Sequence, residues 1–168
     1  MDDILSLVRT SKVSTLLQAH AAIIDELRDR KIVRSSNAPV GDYAELLFKN
    51  AFSWTLENNS ASGHDATDAG GARYQIKGRR IKARNGSRQL SFIRRLPDKT
   101  FDFLAGVLFN ADYSIRRAAI VPHVLLEPRC RFSKHTNGWL FKLEDDVWDM
   151  GGVRDVTIEL RAAAGTLG

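Results

Sequence analysis

The chain has 168 residues, of which 43% are hydrophobic, with 25 Lys and Arg against 20 Asp and Glu and a formal net charge of +5. That composition is enough for one buried core and excludes a disordered chain. No apolar run approaches the roughly 18–20 residues of a spanning helix, which excludes an integral helical membrane protein. The lone Cys130 excludes an internal disulfide or a cysteine-rich zinc site.

The length predicts one domain, 1–168, with an N-terminal helical segment (1–40), a core (41–122) and a C-terminal strand and helix (123–168). A short helix is expected near Asp3–Arg9. A longer one follows over Val13–Arg30, where Val13, Leu16, Leu17, Ala21, Ile24 and Leu27 recur at intervals of mostly three and four. Ser35, Ser36, Asn37 and Pro39 make Val33–Val40 a loop. Ala44, Leu47, Phe48 and Ala51 then mark one side of a helix over Gly41–Trp54, with Asp42 placed to cap or charge its start.

Beyond the polar stretch Glu57–Gly63, two short extended runs, His64–Asp68 and Ala72–Lys77, flank Gly70-Gly71 and predict a β-hairpin. Further strands are expected at Leu90–Arg94, Phe103–Phe109 and Arg117–Val121, the last closed by Pro122. A helical turn at Val124–Pro128, a strand at Gly138–Leu143 and a closing helix at Val153–Ala163 complete the reading. The order predicts an α/β (α+β) fold with one central mixed sheet flanked by helices.

Charge is concentrated. Ala69–Pro97 contains no Asp or Glu and nine cations: Arg73, Lys77, Arg79, Arg80, Lys82, Arg84, Arg88, Arg94 and Arg95. The remainder of the chain is net acidic, so the block is a local positive field of the kind that meets a polyanion. Seven of the nine are Arg, which favours phosphate forks over plain solubility. Arg73, Arg79, Arg80, Lys82, Arg84 and Arg88 are the candidate DNA contacts.

Within this frame Glu45, Asp65 and Gln75-Ile76-Lys77 stand together. Side chains at i and i+2 of a strand share a face, so Gln75 and Lys77 project side by side while Ile76 enters the core. A turn at Gly70-Gly71 returns Lys77 to the neighbourhood of Asp65. A carboxylate, an amide oxygen and an ammonium on one sheet face beside a basic block suit a Mg²⁺ ion and a phosphodiester. Each residue alone has a plainer reading: a solvated helix acid, a turn aspartate, an edge-strand lysine.

Gly63-His64-Asp65 with Arg73-Tyr74-Gln75-Ile76-Lys77-Gly78-Arg79-Arg80, and Glu45 upstream, resembles the PD-(D/E)xK nuclease superfamily. The likeness is to its Mrr-like variant, in which Gln replaces the second acid. The resemblance implies a restriction-endonuclease-like core over 41–122 and Mg²⁺-dependent, or Mn²⁺-dependent, endonuclease activity on DNA. It makes Asp65 the main metal ligand, with Gln75 at the second acid's position and the main-chain carbonyl of Ile76 as a further donor. Lys77 becomes the catalytic lysine, and Glu45 holds the cation through a water. Asp68 is the rival carboxylate; the resemblance favours Asp65, directly after Gly63-His64. Cutting two strands with one site per chain implies a homodimer. The alternatives are a non-catalytic DNA-binding module, for which the neutral Gln75 speaks, and a subunit of a defence or repair complex.

The remaining motifs carry less. His20, His64, His123 and His135 lack zinc spacing, and Ser60, Ser62 and Ser91 lack a nucleophile elbow. No G-x-x-x-x-G-K-[ST] occurs, so no nucleotide cofactor is expected. Trp139 and Trp148 are expected to pack the core or a subunit interface. With no signal-peptide pattern at the start, a reducing cytoplasm is the expected compartment.

Overall fold

A computed structural model describes residues 2–35, 37–58, 63–82 and 84–167. Ser36 and residues 59–62, including Ser60 and Ser62, lie outside them. A six-stranded mixed sheet organises the chain, in the order β1 (Thr55–Leu56), β2 (Ala66–Thr67), β3 (Arg73–Arg80), β4 (Phe103–Phe109), β5 (Ile115–Pro122) and β8 (Arg154–Asp155). Only β3 and β4 run parallel; every other neighbouring pair is antiparallel. The nearly continuous apolar runs of β4 and β5 form the sheet's buried centre, as two-sided burial requires.

Helices α3 (Val40–Phe52) and α4 (Thr157–Gly165) cover one face of the sheet. Ala44, Leu47 and Phe48, at helical spacing, are fully buried against it. An aromatic stack carries this packing onto β3: Phe48 on Trp54 at 5.6 Å, Trp54 on Tyr74 at 3.7 Å and Tyr74 on Phe103 at 5.4 Å between ring centroids. Each such ring contributes roughly 1.5–3 kcal/mol by burial. Gly78 lets the start of α3 sit directly on β3, since a Cβ there would lie 2.8 Å from the Val40 carbonyl oxygen. That seating fixes the height of α3 over the strand.

The opposite face has a different cover. Helices were expected to flank the sheet, but this side is closed by the 88–101 segment, short 3₁₀ turns and a separate hairpin of β6 (Arg131–Ser133) and β7 (Gly138–Leu140). The expected strand Leu90–Arg94 is an irregular extended segment, bridged only at Gln89 to Lys142 and Ile93 to Trp139. Its buried residues, Leu90 and Ile93, are three apart, a spacing that strict strand alternation cannot place on one face. The predicted strand Gly138–Leu143 contracts to β7.

Other boundaries move for local reasons. The closing helix begins at Thr157 instead of Val153, because Arg154–Asp155 extends the sheet; Asp155 then accepts hydrogen bonds from the Thr157 amide (3.0 Å) and hydroxyl (2.5 Å) at the first helical residue. The first hairpin strand shortens to Ala66–Thr67, and the second runs on to Arg80. Asp42 lies in the first turn of α3 and so charges its start, but it does not cap it; it accepts from the amides of Arg34 and Ser35 and from the Ser35 hydroxyl, pinning the preceding loop.

Helices α1 (Asp2–Thr10) and α2 (Val13–Asp29) form where predicted, but the expected apolar face of α2 is mostly uncovered. Ile24 is its buried residue, whereas Val13 and Leu17 are 74% and 67% exposed. Among the described residues no helix is long and apolar enough to cross a membrane.

Candidate active site

Strand β3 positions the site by alternation. Tyr74 and Ile76 enter the aromatic core under α3, so Gln75 and Lys77 turn to the opposite face. The β2–β3 register, Ala66 opposite Tyr74, places Asp65 across from Gln75, just beyond the last paired residues. The Asp65 amide donates to the Tyr74 carbonyl at 2.8 Å, which holds the aspartate against the strand.

Asp65 Oδ2 gathers three donors. It accepts a hydrogen bond from the Gln75 amide nitrogen and one from the Ile76 backbone N–H at 2.6 Å, and it faces Lys77 Nζ at 4.0 Å. Among the described residues, Asp65 Oδ1 accepts nothing. Because backbone N–H and C=O of one strand residue point the same way, the Ile76 carbonyl also faces this edge, past the end of the β2 ladder. Sequence reading thus placed Asp65, Gln75, Ile76 and Lys77 together, and the structure shows them in contact.

Lys77 and Asp65 are each about one-fifth exposed. Burial lowers the Lys77 pKa from its ordinary value; Asp65 opposes that shift, and the nearby Arg94 adds to it. The ammonium is therefore an easier proton source, and its amine a more available acceptor, than an ordinary lysine.

Two depressions meet at Asp65. One, of about 250 Å³, is lined by Gly63, His64, Asp65, Gln75, Lys77, Phe92, Arg94, Arg95 and Thr100. The other, of about 320 Å³, is lined by Asp65, Glu45, Asp42, Glu57, Asn58, His64, Arg34 and Ser35. Glu45 thus comes from α3 to the same cleft system but does not touch Lys77; its carboxylate is paired with the Arg34 guanidinium. The loop into Asp65 is held by Gly63, whose φ of +80° suits glycine and whose carbonyl accepts from the Thr100 hydroxyl at 2.8 Å. His64 lies 3.6 Å from Glu57 Oε1.

Asp68, the rival ligand, closes the hairpin turn. Its Oδ1 accepts from the Gly70 and Ala72 amides at 2.9 Å and its Oδ2 from the Tyr74 hydroxyl at 2.8 Å, away from both depressions. Those bonds hold its carboxyl below its ordinary pKa, and burial with the Asp68 bond pushes the Tyr74 phenol up to about 12.

The basic block divides by its partners. Arg73 forms a two-pronged pair with Asp102, and Arg88 pairs with Asp145 at 2.7 Å and Glu144 at 3.8 Å. Arg79 donates to the Ser87 carbonyl; Arg80 donates to the Ala111 carbonyl and stacks 4.5 Å over the Tyr113 ring. Lys82, Arg84 and Arg94 are exposed and, among the described residues, have no carboxylate partner. Arg34, Phe92, Arg94 and Thr100 line the site without having been singled out for it. They come from segments that are irregular in the fold, and only folding brings them beside Asp65.

Among the described residues no three His, Cys, Asp or Glu side chains gather as a cation cage. The oxygen donors available are Asp65 Oδ1, the Ile76 carbonyl, the Glu45 carboxylate and, after rotation of its amide, Gln75 Oε1. All are hard oxygens, the donor type Mg²⁺ takes when solvent or a phosphate completes its shell. Arg34 and Lys77 now supply the positive charge facing the two carboxylates. The chain matches no protein-family model and no curated protein sequence.

Proposed function

We propose that this protein is a Mg²⁺-dependent DNA endonuclease with a restriction-endonuclease-like core. One observation carries the reading: Asp65 meets Gln75, the Ile76 amide and Lys77 at an unpaired sheet edge, in a cleft system that also holds Glu45. Asp65, Gln75 and the Ile76 carbonyl would hold the cation, with Glu45 reaching it through a water. A bound Mg²⁺ supplies Lewis acidity and neutralises phosphoryl charge. Mn²⁺ would serve the same donors.

The chain's own residues do the rest. The neutral amine of Lys77 orients a water and takes its proton as the water oxygen attacks phosphorus. The phosphorus–oxygen bond to the leaving nucleoside breaks, and that oxygen is protonated from solvent. Arg94, at the mouth of the smaller depression, faces the non-bridging oxygens. The exposed cations Lys82 and Arg84 extend the positive field along the DNA, while Arg79 and Arg80 border it. Two copies acting together would cut both strands of a duplex.

A second reading, a DNA-binding module without catalysis, draws on the Arg34–Glu45 pair, which already neutralises the helix acid. Plasmid incubated with Mg²⁺ or Mn²⁺ separates the two. The nuclease reading expects wild-type nicking or linearisation, abolished by Lys77→Ala and Asp65→Ala. Equal cutting by wild type and Lys77→Ala, or salt-sensitive binding with no cutting by any form, ends it.

A further inference from the structure

The larger depression beside Asp65 is lined by four carboxylates, Asp42, Glu45, Glu57 and Asp65, and Arg34 is the one Lys or Arg among its lining residues. Three of the four acids are held by other groups. Asp42 accepts from the Arg34 and Ser35 amides and the Ser35 hydroxyl, Glu57 from the Thr67 hydroxyl at 3.1 Å, and Asp65 from Gln75 and the Ile76 amide. Glu45 differs: its partner among the described residues is the Arg34 guanidinium. A carboxylate whose side chain is only 16% exposed needs such a countercharge, because burying it alone is costly.

The two ends of Arg34 are held differently. Its backbone is anchored, the amide donating to Asp42 Oδ2 at 2.8 Å and the Ser35 amide donating to the same oxygen at 2.7 Å. Its side chain is 48% exposed, and beyond Glu45 the guanidinium meets the Glu57 carbonyl at 3.2 Å. The head can therefore swing into water about a fixed backbone. Glu45 cannot follow it, since α3 is seated on β3 through Gly78. Glu45 is also the acid that a cation held by Asp65 would reach through a water. A divalent cation there would stand within a few ångströms of the guanidinium, a repulsion that a partly buried site screens weakly. Either positive charge satisfies Glu45, and each weakens the other's hold on it.

We propose that Arg34 is a positioning residue that competes with the cation for Glu45, so that cation affinity is set by how readily the guanidinium releases the helix acid. This rests on the cation site of the reading above and deepens it. The test is titration of the full chain with Mn²⁺, free Mn²⁺ being followed by electron paramagnetic resonance in the absence of DNA. Arg34→Ala should bind Mn²⁺ at least about fivefold more tightly than wild type, because Glu45 no longer has to lose a partner first. Arg34→Met, which keeps the length of the side chain and drops its charge, should do the same and serves if the alanine variant does not fold. Glu45→Gln should bind more weakly than wild type, and adding Arg34→Ala to Glu45→Gln should change the affinity by about twofold at most. An equal gain from Arg34→Ala with and without Glu45 overturns the competition, since Arg34 would then act as a general field. Arg34 variants that bind Mn²⁺ like wild type, or more weakly, overturn it too. If those variants match wild type while Asp65→Ala abolishes binding, the cation site stands without the competition. Absence of Mn²⁺ binding in every form, Arg34→Ala included, removes both.

Discussion

Replacing Asp65 by Asn tests the electrostatics of the site independently of any reaction. The amide keeps the shape and one acceptor for the Ile76 N–H, but it removes the charge facing Lys77 at 4.0 Å. At an effective dielectric constant of about 20, that separation corresponds to a Coulomb attraction of about 4 kcal/mol. Both side chains keep about a fifth of their surface in solvent, so screening and relaxation reduce the net effect. A loss of about 2–3 kcal/mol at pH 7 is expected, including two weakened charge-assisted hydrogen bonds, from the Gln75 amide and the Ile76 N–H. The effect must fall with rising pH. Folding lowers the Lys77 pKa, so the unfolded chain binds more protons there and stability rises with pH from the lowered value toward the ordinary 10.5. Asp65 opposes that lowering, and Asp65→Asn therefore widens the window at its lower end. At high pH Lys77 is neutral in both proteins and the lost pair no longer matters. Urea unfolding at pH 7 and pH 10 checks this: the difference between wild type and Asp65→Asn should shrink by at least half. A difference equal at both pH values, or larger at pH 10, refutes the Asp65–Lys77 coupling.

Gly63→Ala should cost about 2–4 kcal/mol in urea unfolding, from a left-handed backbone and a Cβ 2.6 Å from that of Thr100; a loss below 1 kcal/mol contradicts that crowding. Cys130 is half-buried and burial pushes its thiol up to about 12, so it should react with a disulfide reagent at pH 8 more slowly in the folded protein than in urea. Labelling of the folded protein at the rate found in urea contradicts that effect of burial. If Lys77 takes a proton during cleavage, the single-turnover rate should climb tenfold per pH unit and level off below pH 10.5; a flat profile from pH 6 to 9 removes that role.

The sequence alone determined what depends on neighbours along the chain. Alternation on β3 separated Gln75 and Lys77 from Ile76, Gly70-Gly71 reversed the chain, and together these brought Lys77 back to Asp65. Helical spacing likewise identified the buried Ala44, Leu47 and Phe48 of α3. Tertiary structure decided everything set by contacts distant in sequence. The apolar stripe of α2 predicted burial, yet periodicity reports only that a face could be covered, and little of this fold packs against it. Leu90 and Ile93 are core residues on an irregular segment because β7 and the sheet, rather than a strand pattern, hold them. The cation run looked uniform in one dimension; folding placed Asp102 against Arg73 and Asp145 against Arg88 while leaving Lys82, Arg84 and Arg94 in solvent. Arg34 reached Glu45 from a loop eleven residues away, a pairing that no periodicity encodes.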